Sequence, residues 1–212
     1  MRFEQVTLAT SADVDDFYAR VLGLGPAPYS VGETTLEFVR GEGEPFYHYA
    51  LLVPGDRFEA ALEWAGERVE LLPGADGVVF DFDNWDAHAC YFADPAGSIV
   101  ELIALRGVGE SATPGKFHAA ELVGFSELGL VGDRSAMAVE LARIGIDIWS
   151  GTVDEPDRLA FAGERARTLI LAPPGRGWLP TGRPAEPHPV HAVVSTGRPG
   201  AMDVGGVRIQ TV

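Results

Sequence analysis

The sequence predicts an α+β fold of paired βαβββ modules, their cupped mixed sheets closing into barrels with the helices outside. Three observations carry that expectation. A strand-then-helix order begins three separate times along the 212 residues, at FEQVTLAT, PFYHYALLV and VGFSELGLV. The strand segments alternate in side-chain character, so each has one face for a core and an opposite face left over. A unit of this size cannot bury its own apolar face, so repeated units must pair.

The elements follow in order. Residues 3–10 place Val6 and Leu8 on one face and Gln5 and Thr7 on the other. Ser11 or Asp13 then caps a helix whose Val14, Phe17, Tyr18, Val21 and Leu22 recur at helical spacing, ended by Gly23, Gly25 and Pro26. TTLEFVRGE is a strand with Leu36 and Phe38 opposed to Thr35 and Glu37. PFYHYALLVPGD opens the second unit, with Tyr49, Leu51 and Val53 opposed to His48 and Ala50. A helix over 56–66 buries Phe58, Ala61, Leu62 and Ala65, and AHACYFADPAGSIVELIAL forms a hairpin about DPAG. The third unit repeats the order, with Asp133 or Ser135 capping a helix that carries Met137, Leu141 and Ile144. Strands follow near DIW, RLAFAG and ARTLILA. After the Pro-rich WLPTGRPAEPHP come HAVVST and GVRIQTV with no helix between them, so the fourth unit is truncated.

Residues 107–120 lack periodicity and are rich in Gly, Ala, Ser and Pro, which marks a linker. The expected organisation is an N-terminal domain at 1–106 made of two modules, this linker, and a degenerate C-terminal domain at 121–212. In that arrangement the face with Val6, Leu8, Leu36, Phe38, Leu51, Val53, Val100 and Leu102 meets the helices, and the opposite face lines the cup.

Composition narrows the function classes. Hydrophobic residues at 46% and charged residues at 22% suit a globular chain with a real core. The net charge of −15 repels phosphate backbones, and the basic run at 158–167 is interrupted by Glu164, so nucleic acid is excluded as a partner. No apolar run reaches the roughly 18 residues of a membrane span. The N-terminus lacks the pattern of a secretory signal. Cys90 is the only cysteine, which rules out an internal disulfide and suits a reducing cytoplasm.

Four polar residues fall on the expected cup face: Gln5, Glu37, His48 and Glu101. One imidazole, two carboxylates and an amide oxygen make a mixed nitrogen–oxygen set suited to Zn, Ni, Fe or Mn. Glu101 stands out because IVELIAL is otherwise apolar and a buried carboxylate needs a partner. An ion held there takes a small substrate through two adjacent oxygens.

FYARVLGLG, FYHYALLV and above all YFADPAGSIVELI resemble recurring segments of the vicinal oxygen chelate superfamily, which includes glyoxalases, bleomycin-resistance proteins and extradiol dioxygenases. The resemblance is good over 1–105 and weak over 122–212. It implies that Gln5, Glu37, His48 and Glu101 are metal ligands, as in one branch of glyoxalase I, with Glu101 and Glu37 moving the proton. A lyase or isomerase is therefore the leading expectation. An extradiol dioxygenase is the first rival, although Gln5 replaces the imidazole such an enzyme uses. A metal-free drug-binding protein is the second. In the C-terminal half the equivalent positions are Glu127, Leu169, Val190 or His191, and Gln210, and no site of its own is expected there. His88, Asp86, Trp85, Tyr47 and Tyr49 are candidates to line the pocket, Arg40 and Arg106 are the nearest cations, and WLPTGRP is a lid or a surface loop. A monomer or a homodimer fits equally.

Overall fold

The computed structural model describes residues 1–212, and its strands fall into four modules. The first has β1 (Arg2–Thr10), a helical turn at Phe17–Val21, β2 (Tyr29–Val31) and β3 (Thr34–Arg40). The second has β4 (His48–Val53), α1 (Phe58–Gly66), β5 (Phe80–Phe82), β6 (Ala87–Ala93) and β7 (Ile99–Leu105). The third has β8 (Gly124–Val131), α2 (Arg134–Arg143), β9 (Ile148–Gly151), β10 (Ala160–Glu164) and β11 (Arg167–Ala172). A small hairpin, β12 (Gly177–Trp178) and β13 (Arg183–Pro184), precedes the last module. That module is only β14 (Val190–Ser195), β15 (Gly200–Val204) and β16 (Val207–Thr211), without a helix, as its sequence implies.

Each module sets its last strand parallel to its first: β1 with β3, β4 with β7, β8 with β11 and β14 with β16. Modules then join antiparallel through their first strands. The partners differ from the sequence expectation. β4 pairs with β8, and β1 pairs with β14, so the second module closes a sheet with the third and the first closes a sheet with the fourth. The result is an eight-stranded sheet, β5-β6-β7-β4-β8-β11-β10-β9, and a six-stranded sheet, β15-β16-β14-β1-β3-β2, both mixed and curled into half-barrels. The expectation that the first two modules share one cup is thereby corrected. Residues 107–118 carry the chain from β7 to β8 without a strand, long enough to place β8 against β4.

The faces predicted by alternation pack into the main core, although β4, β7 and β8 are buried on both faces, with Ala50, Leu52, Ile99 and Ile103 forming part of a second, smaller cluster. Val6, Leu8, Leu36, Leu51, Val53, Val100 and Leu102 enter one core of 43 residues that also takes Phe58 and Trp64 of α1 and Met137 and Leu141 of α2. Tyr49 stacks on Phe125 across the β4–β8 seam, with ring centroids 5.2 Å apart and planes at 17°. Thr34 bridges the two sheets: its hydroxyl donates to the Phe3 carbonyl (2.9 Å) and accepts from the Phe125 amide (3.1 Å).

The helix expected after β1 is reduced to a five-residue π turn, closed by the Leu22 amide on the Phe17 carbonyl at 2.9 Å. Its Tyr18 is fully buried, and its hydroxyl bonds to Asp94 Oδ2 (2.7 Å) and meets the Tyr49 hydroxyl. A wide turn aims this side chain into the core at the cost of a regular helix.

Arg134, at the start of α2, is 8% exposed and faces no carboxylate. Its guanidinium instead donates to the carbonyls of Thr152, Val153, Glu155, Pro156 and Arg158, which shapes the loop after β9. Arg134→Ala is expected to lower stability by about 2–3 kcal/mol through lost charge-assisted hydrogen bonds. Chemical denaturation reads this out, and an unchanged midpoint would show that the loop holds itself.

Candidate metal centre

The open face of the eight-stranded sheet holds a cavity of about 540 Å³, within the range of small-molecule sites. Its floor is made by the two inner module starts and one module end. His48 opens β4, Glu101 lies in the middle of β7, and Glu127 lies in β8. All three are buried, at 6%, 2% and 6% exposure. One donor atom from each, an imidazole nitrogen and two carboxylate oxygens, lies within 4.8 Å of the others.

The strand registers explain the convergence. His48 lies opposite Ile99, so Glu101, two residues further along β7, returns to the same face; Ala50 lies between Glu101 and Glu127 as the cross-strand partner of both. Ala50 is small enough to leave the carboxylates room. By the same register Ile170, two residues beyond the Thr168 partner of Glu127, occupies the place in β11 that Glu101 has in β7. The sequence match of Leu169 to that position is off by one residue, which turns a side chain to the opposite face. The fourth place is apolar, and the module pair offers three candidate donors.

His48 Nδ1 lies 3.1 Å from the Ile99 carbonyl, which can only accept, so this nitrogen carries the hydrogen and Nε2 keeps its lone pair. Nε2 faces Glu101 Oε2 at 3.6 Å. Burial pushes the imidazole pKa down to about 4, so the ring is neutral at physiological pH. The carboxylates move the other way. Burial lifts Glu127 to about 8 and holds Glu101 well above the usual carboxylate range, where the charge of Glu127 raises it further. Two carboxylates this close titrate as a pair. Neither meets a lysine or arginine, and the neutral His48 supplies no charge. A buried carboxylate pair without a counter-charge calls for a proton or a cation. The donor set suits a divalent cation: a neutral imidazole oriented by a carbonyl, and two carboxylates.

Trp178, carried in by the β12–β13 hairpin, packs on the His48 ring with centroids 4.9 Å apart. Gly129 makes this possible, since a Cβ there would sit 3.0 Å from the Trp178 ring and 2.9 Å from the His48 carbonyl. Gly129→Val is expected to cost about 1–3 kcal/mol by overpacking and to displace Trp178 from the imidazole. Thermal unfolding together with tryptophan fluorescence checks this; an unshifted emission would mean that Trp178 keeps its place.

Of the four ligands expected from sequence, the structure brings together His48 and Glu101 only. Gln5 and Glu37 lie on the six-stranded sheet and do not line the cavity; Gln5 Nε2 donates to Glu37 Oε2 (3.1 Å) and to Thr7 Oγ1 (3.3 Å). The physical reason is the pairing of modules, which carries β1 and β3 to β14 instead of to β4. Glu37 thus lies apart from Glu101, and the carboxylate beside Glu101 is that of Glu127. The signal for Glu127 was present in the sequence, as a lone acid in FSELGLV near the start of a module, the same kind of signal that marks Glu101 in IVELIAL.

The other lining candidates divide. Trp85 lines the cavity, with its ring edge-on to Phe161 at 4.8 Å. His88 is exposed and bonded to Asp81 (2.6 Å). Tyr49 faces the core, and Tyr47 bonds to the Ala9 amide and the Pro189 carbonyl. Tyr91, unnoticed in the sequence, lies across the strand from Glu101 and lines the cavity. Neither Arg40 nor Arg106 reaches the cavity, whereas Arg176 does. Cys90 is buried on the core side, with its thiol pushed up to about 12 by burial, and is unreactive.

Module order, parallel first-to-last strand pairing and a site on the open face of a half-barrel define this as a vicinal oxygen chelate fold. A Bacillus subtilis protein provisionally described as a dioxygenase shares it, with a TM-score of 0.58 and 15% identity over 100% of this chain and 85% of that one. More distant likenesses are glyoxalase I of Zea mays (TM-score 0.48, 16% identity, 91% and 74% covered) and methylmalonyl-CoA epimerase of Mycobacterium tuberculosis (0.37, 16%, 60% and 85%). No family model matches the sequence, and no curated protein matches it. No helix is long and apolar enough to cross a membrane.

Proposed function

We propose that the protein is a divalent-metal enzyme acting on a small substrate with two adjacent oxygens, and that it moves a proton as a lyase or isomerase does. The supporting observation is the buried His48, Glu101 and Glu127 group at the floor of the cavity, two acids and one neutral imidazole without a cationic side chain. His48 Nε2, Glu101 and Glu127 are the ligands. An ion bound there supplies Lewis acidity, polarising a substrate carbonyl oxygen.

The side chains account for the rest. Ile103 and Ile170 keep the walls beside the carboxylates apolar and limit water. One carboxylate takes the proton from the carbon beside the carbonyl, and the other returns a proton at the neighbouring atom. A carboxylate held near neutrality by burial is matched to that exchange. The Tyr91 hydroxyl, kept protonated by burial and by the Glu101 charge, serves as a hydrogen-bond donor at the same end.

Mass spectrometry of protein purified without chelators or an affinity tag tests the reading. A stoichiometric divalent metal, lost in His48→Ala and Glu101→Ala, is the expected result. A protein that neither carries nor takes up Zn, Ni, Mn or Fe(II) overturns it in favour of a metal-free binding module. One observation favours a second reading, ring-opening dioxygenation: the cavity walls include Phe82, Trp85, Phe161 and Trp178, which suit an aromatic ring. Oxygen uptake with a panel of catechols after Fe(II) loading separates the two.

A further inference from the structure

The aromatic walls and the rim of the cavity differ in chemistry from its floor, and nothing in the proton-transfer reading uses them. Phe82, Trp85, Phe161 and Trp178 line the cavity, with Leu159 and Leu179 among them. Rings joined edge to face, as Trp85 and Phe161 are, form rigid apolar walls that favour a flat partner. Leu179 is 50% exposed although it lines the cavity, an apolar residue left open to solvent where a ligand would cover it.

Arg176 is the only lysine or arginine among the lining residues. The chain has 31 acidic and 16 basic residues, and most of its arginines meet a carboxylate. Arg176 meets none. Its Nη1 donates to the Gly177 carbonyl at 2.6 Å, and its backbone is held on both sides, the Gly175 amide and the Arg176 carbonyl each bonding to Ala185. Arg176 is half-buried, its guanidinium anchored at one nitrogen and without an anionic partner. The acids of the rim act differently: Asp81 is exposed and bonded to His88, and Asp83 is exposed to water, so their repulsion is screened.

We propose that the cavity takes an aromatic monoanion, its ring against Trp85, Phe161 and Trp178 and its acid group on Arg176. The inference rests on the metal reading only for the floor, where the substrate's adjacent oxygens go. A single cation matches a single acid group. Conjugates with several carboxylates or phosphates need more cationic side chains than the cavity holds.

Three probes share one ring and lack adjacent oxygens, so they report the walls and Arg176 independently of the metal: 2-naphthylacetate, 2-naphthylacetamide and 2-(2-naphthyl)ethylamine. Calorimetric titration of the full-length metal-free protein is expected to show the acid binding at least ~10-fold more tightly than the amide. Arg176→Gln is expected to bring the acid down to the amide's affinity and leave the amide unchanged. Equal affinities, a preference that survives Arg176→Gln, tightest binding by the amine, or no binding by any of the three overturns the proposal. Metal content measured on the same preparations keeps the two readings apart. Acid selectivity without metal uptake sustains this one and removes the enzyme, whereas metal uptake without selectivity does the reverse.

Discussion

Glu127→Ala is expected to strip the protein of its divalent metal, whereas Gln5→Ala and Glu37→Ala leave the metal bound. Glu127 is one of three buried donors within 4.8 Å of one another, while Gln5 and Glu37 bond to each other on the six-stranded sheet. Loss of one of only three protein ligands should cost more than the roughly 10–100-fold in affinity that follows loss of a ligand's hydrogen-bond partner. The control for folding is Glu127→Gln, which keeps the shape and removes the charge; at pH 6.5 it should unfold near the temperature of the metal-free wild type and still bind metal poorly. Metal retained in both Glu127 variants and lost in Glu37→Ala would return the site to the arrangement expected from sequence and would contradict the strand pairing.

The second large effect is on the stability of the metal-free protein as pH changes. Glu127 is raised to about 8 in the folded state, and Glu101 is raised as well, above the unfolded value of 4.5. The folded state therefore binds more protons than the unfolded state in that interval. The stabilisation is complete below about 4.5 and is lost as pH rises toward 8. His48 acts in the opposite sense: its folded value of about 4 lies below the unfolded 6.5, so its contribution is complete above 6.5 and lost as pH falls toward 4. The two slopes oppose each other up to pH 6.5, and beyond it the carboxylates act alone. Between pH 6.5 and 8 the metal-free protein should lose roughly 2 kcal/mol, on the order of 5 °C in unfolding temperature. Calorimetry after chelation measures this. Glu127→Gln should flatten the decline, and saturating metal should abolish it, because the ion supplies the missing counter-charge. A flat profile in chelated wild type would mean that the carboxylates are better solvated than their burial implies.

Much of the fold was legible in the sequence because strand alternation is a local property. Val6 and Leu8, Leu51 and Val53, and Val100 and Leu102 all face the core they were assigned to. His48 and Glu101 lie together because both belong to one module, whose first and last strands pair in parallel over a short span of chain. Two departures within modules also have local causes. The turn at Phe17–Val21 is too short and wide for the helix its spacing suggests, because Tyr18 is drawn to Asp94 and Tyr49. The WLPTGRP stretch, read as a lid or a surface loop, supplies Trp178 to the cavity through a two-residue pairing too short to leave a periodic signal, with Arg176 just before it.

The sequence by itself determined the modules, their order, the face each strand turns to the core, the truncation of the last module, and the juxtaposition of His48 and Glu101. The tertiary structure alone decided which module starts lie side by side, and with that the place of Glu127 beside His48 and Glu101, the separation of Gln5 and Glu37 from them, and the cation of the cavity. The physical reason lies in what the alternation encodes. Each first strand presents an apolar face and an open face of the same period, so β4 is locally as well suited to β1 as to β8. The choice depends on contacts distant in sequence, such as Tyr49 stacked on Phe125 and Thr34 joining Phe3 to Phe125, and on a linker long enough to bring β8 to β4. A donor set assembled across that seam exists only once the seam has formed.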